Sequence, residues 1–351
     1  MLDTMNNQMM PVPEEFRNLP KVDLHRHLEG SLRLSTMLDV ARKHGLTIPA
    51  NVVRLSRLVQ VQDEDNLTFD NFLAKFNTLR MFYRSPEVIT RITHEAVEDA
   101  AKDNVRYLEL RFTPVALSRA ERFPLEDVVD WVVSAAKDAE KKYKVIVRLI
   151  ASINRHEALE LAEQVAWIAV EKGRENIVGL DLAGNEAQYS AKPFLPILKE
   201  ARQAGLLLTM HAGEWGGAAN VREAIELFNA RRIGHGVRVL EDDFTTALAR
   251  ETGTVFEVCM TSNYQTGVVR EVNTHPAPKM INAGLNVTFN TDDPSISQIT
   301  LGNEYRLAVQ DLKIPFATLQ ERILAAASAG FLPENEKIKL VQNLKKEMKL
   351  N

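Results

Sequence analysis

Eight short apolar, β-branched runs recur along this chain, and a stretch of helical periodicity follows each of them. They are KVDLH from Lys21, RYLELRF from Arg106, KVIVRLI from Lys144, IVGLDLA from Ile177, LLLTMH from Leu206, RRIGHG from Arg231, TVFEVC from Thr254 and NVTFNT from Asn286. Segments between them, such as PLEDVVDWVVSAAKDAEKKY and RHEALELAEQVAWIAVEKG, place apolar residues at i, i+3, i+4 and i+7 opposite a charged face. Strands alternating with helices pack as a parallel sheet with right-handed crossovers, and eight such units are the number that closes a barrel. The expected fold is α/β, a (β/α)8 TIM barrel, with an open doubly wound sheet as the alternative.

The stretch from about Ser31 to Ala101 is too long for one crossover helix. It predicts extra helices over the barrel mouth, among them LTFDNFLAKFN, where Phe69, Phe72 and Phe76 share a face. Those rings either pack the helix onto the barrel or form a substrate lid. Three further helices are expected after Leu301, the last of them, ENEKIKLVQNLKKEMKL, charged and solvent-facing. No repeat of solenoid length, low-complexity tract or linker interrupts the pattern, so residues 1–351 read as one domain with an N-terminal extension over about 1–18.

Composition then removes several classes of function. A formal net charge of -4 provides no clustered cationic footprint for nucleic acid. The single cysteine, Cys259, permits neither an intrachain disulfide nor a cysteine-rich metal site, and the first twenty residues lack the basic start and apolar core of a secretory signal. No run approaches membrane-spanning length. The chain reads as cytoplasmic, with a small molecule as its partner and its oligomeric state open.

Chemistry-bearing residues gather at the carboxyl ends of the expected strands, where the loops of such a barrel build active sites. His25 and His27 end the first run, and a period of two points both rings to one face. His211 and Glu214 close the fifth run in HAGE, His235 closes the sixth in GHG, and Asp292 and Asp293 close the eighth in NTDDP. Imidazole nitrogen and carboxylate oxygen suit zinc, so His25, His27, His211 and Asp292 form a candidate ligand set with room left for water. Zinc lowers the pKa of such a water to about 7. Glu214 is then placed to exchange protons with substrate, His235 to hold or deprotonate the attacking water, and Asp293 to hydrogen-bond substrate or an imidazole. The other histidines, His44, His94, His156 and His275, fall in helical or loop contexts and are expected to be structural or exposed. HEAVE at His94 and HEALE at His156 lack the second histidine of a helical protease motif.

Taken together, KVDLHRHLEGS, DLAGNE, HAGE, RIGHG, TSNYQTG and NTDDP resemble, in order and spacing, the motifs of the adenosine deaminase family. The likeness runs from about Leu19 to about Ser295 and weakens in the C-terminal helices. It implies one zinc per chain on His25, His27, His211 and Asp292, Glu214 protonating purine N1, and His235 orienting the attacking hydroxide at C6. It also implies Asp293 bonding purine N7 and the Gly184 backbone N–H meeting N3, where only glycine lets a backbone approach so closely. His27 would line the substrate pocket as well as ligate. Two positions depart from the common pattern. Glu29 stands where the family often has an aspartate that contacts the ribose 5′-hydroxyl, and Met260 stands where proline is common.

The resemblance therefore implies zinc-dependent deamination of adenosine and 2′-deoxyadenosine. Adenine deaminase and deaminases of modified 6-aminopurine nucleosides are the alternatives, and TSNYQTG is more similar to the adenosine branch than to the free-adenine branch. Two-metal amidohydrolases usually carry a bridging lysine on the fourth strand, and GLDLAGNE has none. Cytidine-deaminase folds need a P-C-x-x-C pair that one cysteine cannot supply. A nucleoside-binding barrel without turnover is the non-enzymatic alternative; the presence of Glu214, His235 and every candidate ligand argues against it.

Overall fold

In a computed structural model, which describes residues 11–350 apart from 50 and 175, the eight runs become eight strands. They are β1 (Lys21–His27), β2 (Val105–Phe112), β3 (Ile146–Asn154), β4 (Ile177–Ala183), β5 (Leu207–Ala212), β6 (Arg232–His235), β7 (Val255–Val258) and β8 (Asn286–Phe289). Neighbours pair in parallel and in chain order from β1 to β8. The seam between the last strand and the first is stitched just beyond β8. His27 N–H donates to the Asp292 carbonyl and Asp292 N–H to the His25 carbonyl, each at 2.8 Å, while the Asn290 side chain accepts from Leu24 N–H at 2.9 Å. This nearly closed barrel is the TIM-barrel architecture, and its seam carries three of the candidate site residues.

Alternation along the strands separates two chemistries. Val22 and Leu24 of β1, and Leu108 and Leu110 of β2, are fully buried and alternate with residues that face one another across the barrel. Those inward residues are charged. Arg111, Arg232, Glu109, Glu257 and Asp181 are fully or almost fully buried, and such groups are tolerated only when paired.

The crossover helices follow their sequence pattern. Leu125–Tyr143 buries Val128, Val129, Val132, Val133, Ala136 and Ala139, carries Glu126 and Asp127 in its first turn and Lys141 and Lys142 in its last, and stops at Lys144 in the left-handed conformation. Charges so placed complement the helix dipole. The long β1–β2 connection holds helices Leu34–His44, Val52–Val59, Phe69–Leu79 and Pro86–Lys102. Thr68 and Ser85 begin the last two, each hydroxyl accepting a backbone N–H. At the C-terminal end, Leu301–Arg306, Phe316–Ala329 and Glu334–Glu347 supply the three expected helices, the last burying only Leu340 and Leu344.

Of the extension expected over about residues 1–18, residues 1–10 lie outside the described residues, and Glu14–Asn18 forms a short helix anchored by buried Phe16. Among the described residues no helix is long and apolar enough to cross a membrane.

Candidate metal centre and active site

The H-x-H period on β1 brings the His25 and His27 rings to 5.3 Å, and β5 adds His211 at 4.7 Å from His25 and 5.4 Å from His27. Asp292 enters across the seam, with Oδ1 at 3.3 Å from His25 Nε2 and 3.4 Å from His27 Nε2. One ligand atom from each of the four residues lies within 4.8 Å of all the others. Ligands about 2.0 Å from a tetrahedral ion lie about 3.3 Å apart, so the Asp292 separations are those of tetrahedral edges. His25 Nε2 is buried without a hydrogen-bond partner among the described residues, an arrangement that is costly unless something else takes its lone pair. These residues fit a metal ion.

The imidazoles are aimed from behind. His25 Nδ1 meets Glu257 Oε2 at 2.9 Å and His211 Nδ1 meets Asp181 Oδ1 at 3.0 Å, which leaves both Nε2 atoms facing the centre. Arg111 donates to Asp181 at 3.2 Å and to Glu257 at 2.8 Å, while Arg232 donates to Glu257 at 2.5 Å and also pairs with Glu109. Burial alone would raise both acids; for Asp181 the charges of His211 and Arg111 prevail, for Glu257 those of Arg111 and Arg232, and both are held well below the usual range. They remain carboxylates and therefore acceptors.

Asp292 and His235 hold left-handed backbone conformations, with φ of 61° and 60°. Non-glycine residues adopt this region at a cost of about 1–3 kcal/mol, and it turns each side chain into the barrel mouth. His235 Nε2 lies 3.7 Å from Glu214 Oε2 and 3.8 Å from Asp292 Oδ2. Burial, against the opposing pull of Asp292, holds His27 and His235 well below the usual histidine range, so both rings are neutral. Burial, then the charges of Asp292 and Glu186, push Glu214 well above the carboxylate range. Burial, followed by Asp292, Glu29 and Glu214, does the same to Asp293.

All the residues singled out in the sequence meet in one region. His27, Glu29, Gly184, His211, Glu214, His235, Asp292 and Asp293 line one pocket, and His25 lies beneath them, fully buried. Phe69, Phe72 and Phe76 line the same pocket, and Phe69 stacks on Trp215 at 4.5 Å between ring centroids. Their helix therefore both packs on the barrel and walls the pocket. Gly184 has φ of 91°, so its backbone independently requires glycine. A larger cavity of about 750 Å³ beside β1 is lined by Arg17, Arg33, Asp99 and Lys102 but by none of these imidazoles.

Both departures from the common pattern have structural partners. Glu29 Oε1 accepts the Thr113 N–H at 2.6 Å, and its Oε2 is buried without a hydrogen-bond partner among the described residues. Met260 N–H, which a proline would lack, donates to Glu304 at 2.7 Å. Thr261 adds its own N–H to Glu304 at 3.2 Å, so this buried acid fixes the start of the helix Met260–Gln265.

Sequence reasoning did not single out Asp181, Glu257, Glu186, Asn263 or the site connection of His275. For the first two a signal existed, since each is an acid at an inward position inside an apolar strand. Asn263 and His275 carry no such mark. His275 is buried as a structural residue, yet Asn263 links it to His235. Cys259 is buried near Asp292; burial and then the nearby Asp292 and Glu304 charges push its thiol well up, which keeps it protonated.

The Adenosine deaminase family model matches residues 20–347. An adenosine deaminase of Clostridium perfringens is 34% identical over 328 residues, covering 92% of this chain and 97% of the relative. Among solved structures, an adenine deaminase from Arthrobacter aurescens is 25% identical with a TM-score of 0.85, covering 94% of this chain and 99% of that one. The Arabidopsis N6-mAMP deaminase is 29% identical with a TM-score of 0.85, covering 95% and 99%. An amidohydrolase from Burkholderia ambifaria with bound zinc is 25% identical with a TM-score of 0.86, covering 99% and 95%.

Proposed function

The chain belongs to the adenosine deaminase family of metal-dependent hydrolases, and from that premise we propose that it deaminates adenosine and 2′-deoxyadenosine to inosine and 2′-deoxyinosine with release of ammonia. The observation that carries this reading is the placement of the Glu214 carboxyl beside the four-residue set, 3.7 Å from His235, in a buried position that raises its pKa well above the usual carboxylate range. Such a group is a proton donor near neutral pH.

His25, His27, His211 and Asp292 would hold one zinc ion, which supplies the Lewis acidity that makes water a usable nucleophile near pH 7. Glu214 delivers a proton to purine N1, so that C6 becomes electrophilic. His235 holds the attacking water by hydrogen bonding. The C6–O bond forms, one proton of the water passes to the amino nitrogen as the C6–N bond breaks and ammonia leaves, and the other water proton restores the carboxyl of Glu214, while the proton given to N1 stays on the product. Asp293 keeps its proton and donates it in a hydrogen bond to N7, while the Gly184 N–H faces N3. Phe69, Phe72 and Phe76 give the pocket an apolar wall on one side.

A second reading follows from Arg80. It lines the same pocket as Glu29, and its Nε is buried without a hydrogen-bond partner among the described residues. A cation at the end where Glu29 meets the ribose suits a substrate with an anionic 5′ group, as in 6-aminopurine nucleoside monophosphates. The ultraviolet change of adenosine, 2′-deoxyadenosine, adenine and N6-methyl-AMP, followed with and without prior chelation, decides between them. The main reading expects both nucleosides to react, activity to vanish on chelation and zinc to restore it. Turnover of the monophosphate alone would replace it with the second reading, and turnover of adenine alone would remove the ribose contact.

A further inference from the structure

We propose that Asn263 and His275 are positioning residues that lock His235 in the tautomer carrying its proton on Nε2, so that His235 meets the reactants as a hydrogen-bond donor. One proton in this cluster has a fixed place. The backbone N–H of Ala277 can only donate, and it donates to His275 Nδ1 at 3.1 Å. His275 is neutral, because burial holds its pKa at about 3. A neutral ring with a bare Nδ1 carries its proton on Nε2.

That proton faces Asn263 Oδ1 at 3.2 Å, which fixes the amide with its oxygen toward His275. The Asn263 Nδ2 end must then face His235, and it lies 3.1 Å from His235 Nδ1. An amide NH2 only donates, so His235 Nδ1 only accepts. With Nδ1 bare, the ring proton of His235 is on Nε2, the atom that faces Glu214 and Asp292. Asn263 is fully buried and His275 and His235 nearly so, which closes the relay to exchange with water. The helix carrying Asn263 is itself tied to Glu304 through the Met260 and Thr261 N–H groups. Accepting a proton from the attacking water at Nε2 would require the opposite tautomer. His235 therefore steadies the water oxygen and does not take its proton.

This inference rests on the proposed deamination for the role of His235, but not for its tautomer. The test uses zinc-loaded protein labelled with ¹⁵N-histidine, in which the ring nitrogens of His235 are assigned by their loss in a His235→Gln variant. A protonated-type shift at Nε2 and a bare-type shift at Nδ1 are expected at neutral pH, and the reverse pattern overturns the proposal. In Asn263→Asp the new carboxylate can only accept, so the proton moves to Nδ1 and the pattern inverts. There kcat falls on the order of 10²- to 10⁴-fold, the range for a lost donor or a wrong tautomer, while KM and zinc content stay near wild type. His275→Gln can still accept from Ala277 and donate to Asn263, and it is expected to keep both the wild-type shifts and most of kcat. An Asn263→Asp protein with wild-type shifts and turnover overturns the proposal. If the wild-type enzyme deaminates no purine, the proposed function fails, while the ring shifts still decide the tautomer.

Discussion

The carboxylate of Glu186 holds Glu214 by its backbone. It accepts the N–H groups of Gly213 at 2.9 Å, Glu214 at 2.6 Å and Trp215 at 2.8 Å, and the Asn220 amide at 2.8 Å. Four donors on one carboxylate fix the loop after β5, and the Glu214 side chain is left free to face the pocket. The same ion contributes charge that helps keep Glu214 protonated. One residue thus fixes the position of another and adds its charge to the burial and the Asp292 charge that raise the pKa of Glu214.

Replacing Glu186 with glutamine turns one acceptor oxygen into an NH2 that must face backbone N–H groups. Misplacing a reacting group by about 1 Å costs about 100-fold. Glu186→Gln is therefore expected to lower kcat by about that factor, with zinc content unchanged. Steady-state kinetics beside metal analysis checks this, and wild-type turnover would show that the loop does not need the clamp.

Asp181 lies behind His211, on the Nδ1 side of the ring, rather than within the candidate ligand set. In Asp181→Asn the fully buried Arg111 loses one of its two carboxylate partners and the His211 ring loses its charged acceptor. Partners of this kind typically account for 10- to 100-fold in metal affinity. Competition with a chromophoric chelator should find zinc binding weakened by about that much, and unchanged affinity would make Asp181 a packing residue only.

The eight strands and their order were legible because each run is short, β-branched and followed by a helical period. The candidate ligand set was legible because His25, His27 and His211 fall at the ends of strands and Asp292 follows one by three residues, and the two-residue spacing on β1 points both of its rings to one face. What lies behind them was less so. Asp181 and Glu257 could have been found as charges stranded in apolar runs, but their pairing with Arg111 and Arg232 depends on which strands face each other across a closed barrel. His275 lies 40 residues from His235 in the chain and its neighbours are unremarkable; only the folding of the β7–β8 connection brings it to Asn263. Glu29 was legible as a departure, whereas the Thr113 N–H that it accepts belongs to another strand's end.

Gly30 lies against Asp293. A Cβ built on Gly30 would fall 1.8 Å from Asp293 Oδ1, so any side chain there must displace that carboxyl. A lost buried hydrogen bond costs about 1–3 kcal/mol, and Gly30→Ala is expected to reduce kcat/KM roughly tenfold or more. In an Asp293→Ala background the same substitution should add little, since residues acting through one contact are not additive. Kinetics on the four proteins of this cycle measures the coupling, and full additivity would separate Gly30 from the substrate contact.

His275 should also be visible in stability. Its folded pKa of about 3 lies below the ordinary histidine value of 6.5, so between these values the unfolded chain binds a proton that the folded protein excludes. Stability therefore rises with pH across this window and falls on acidification from 6.5 toward 3. At 1.36 kcal/mol per unit, acidification to about pH 5 costs about 2 kcal/mol through this residue alone. The histidines proposed to hold zinc add their own acid sensitivity, but they do so equally in a His275→Gln variant. Denaturant unfolding of both proteins at pH 7.5 and pH 5 isolates the difference: the wild type should lose about 2 kcal/mol more than the variant. Equal losses would mean that His275 takes up its proton in the folded state, and the relay to His235 would then begin from a charged ring.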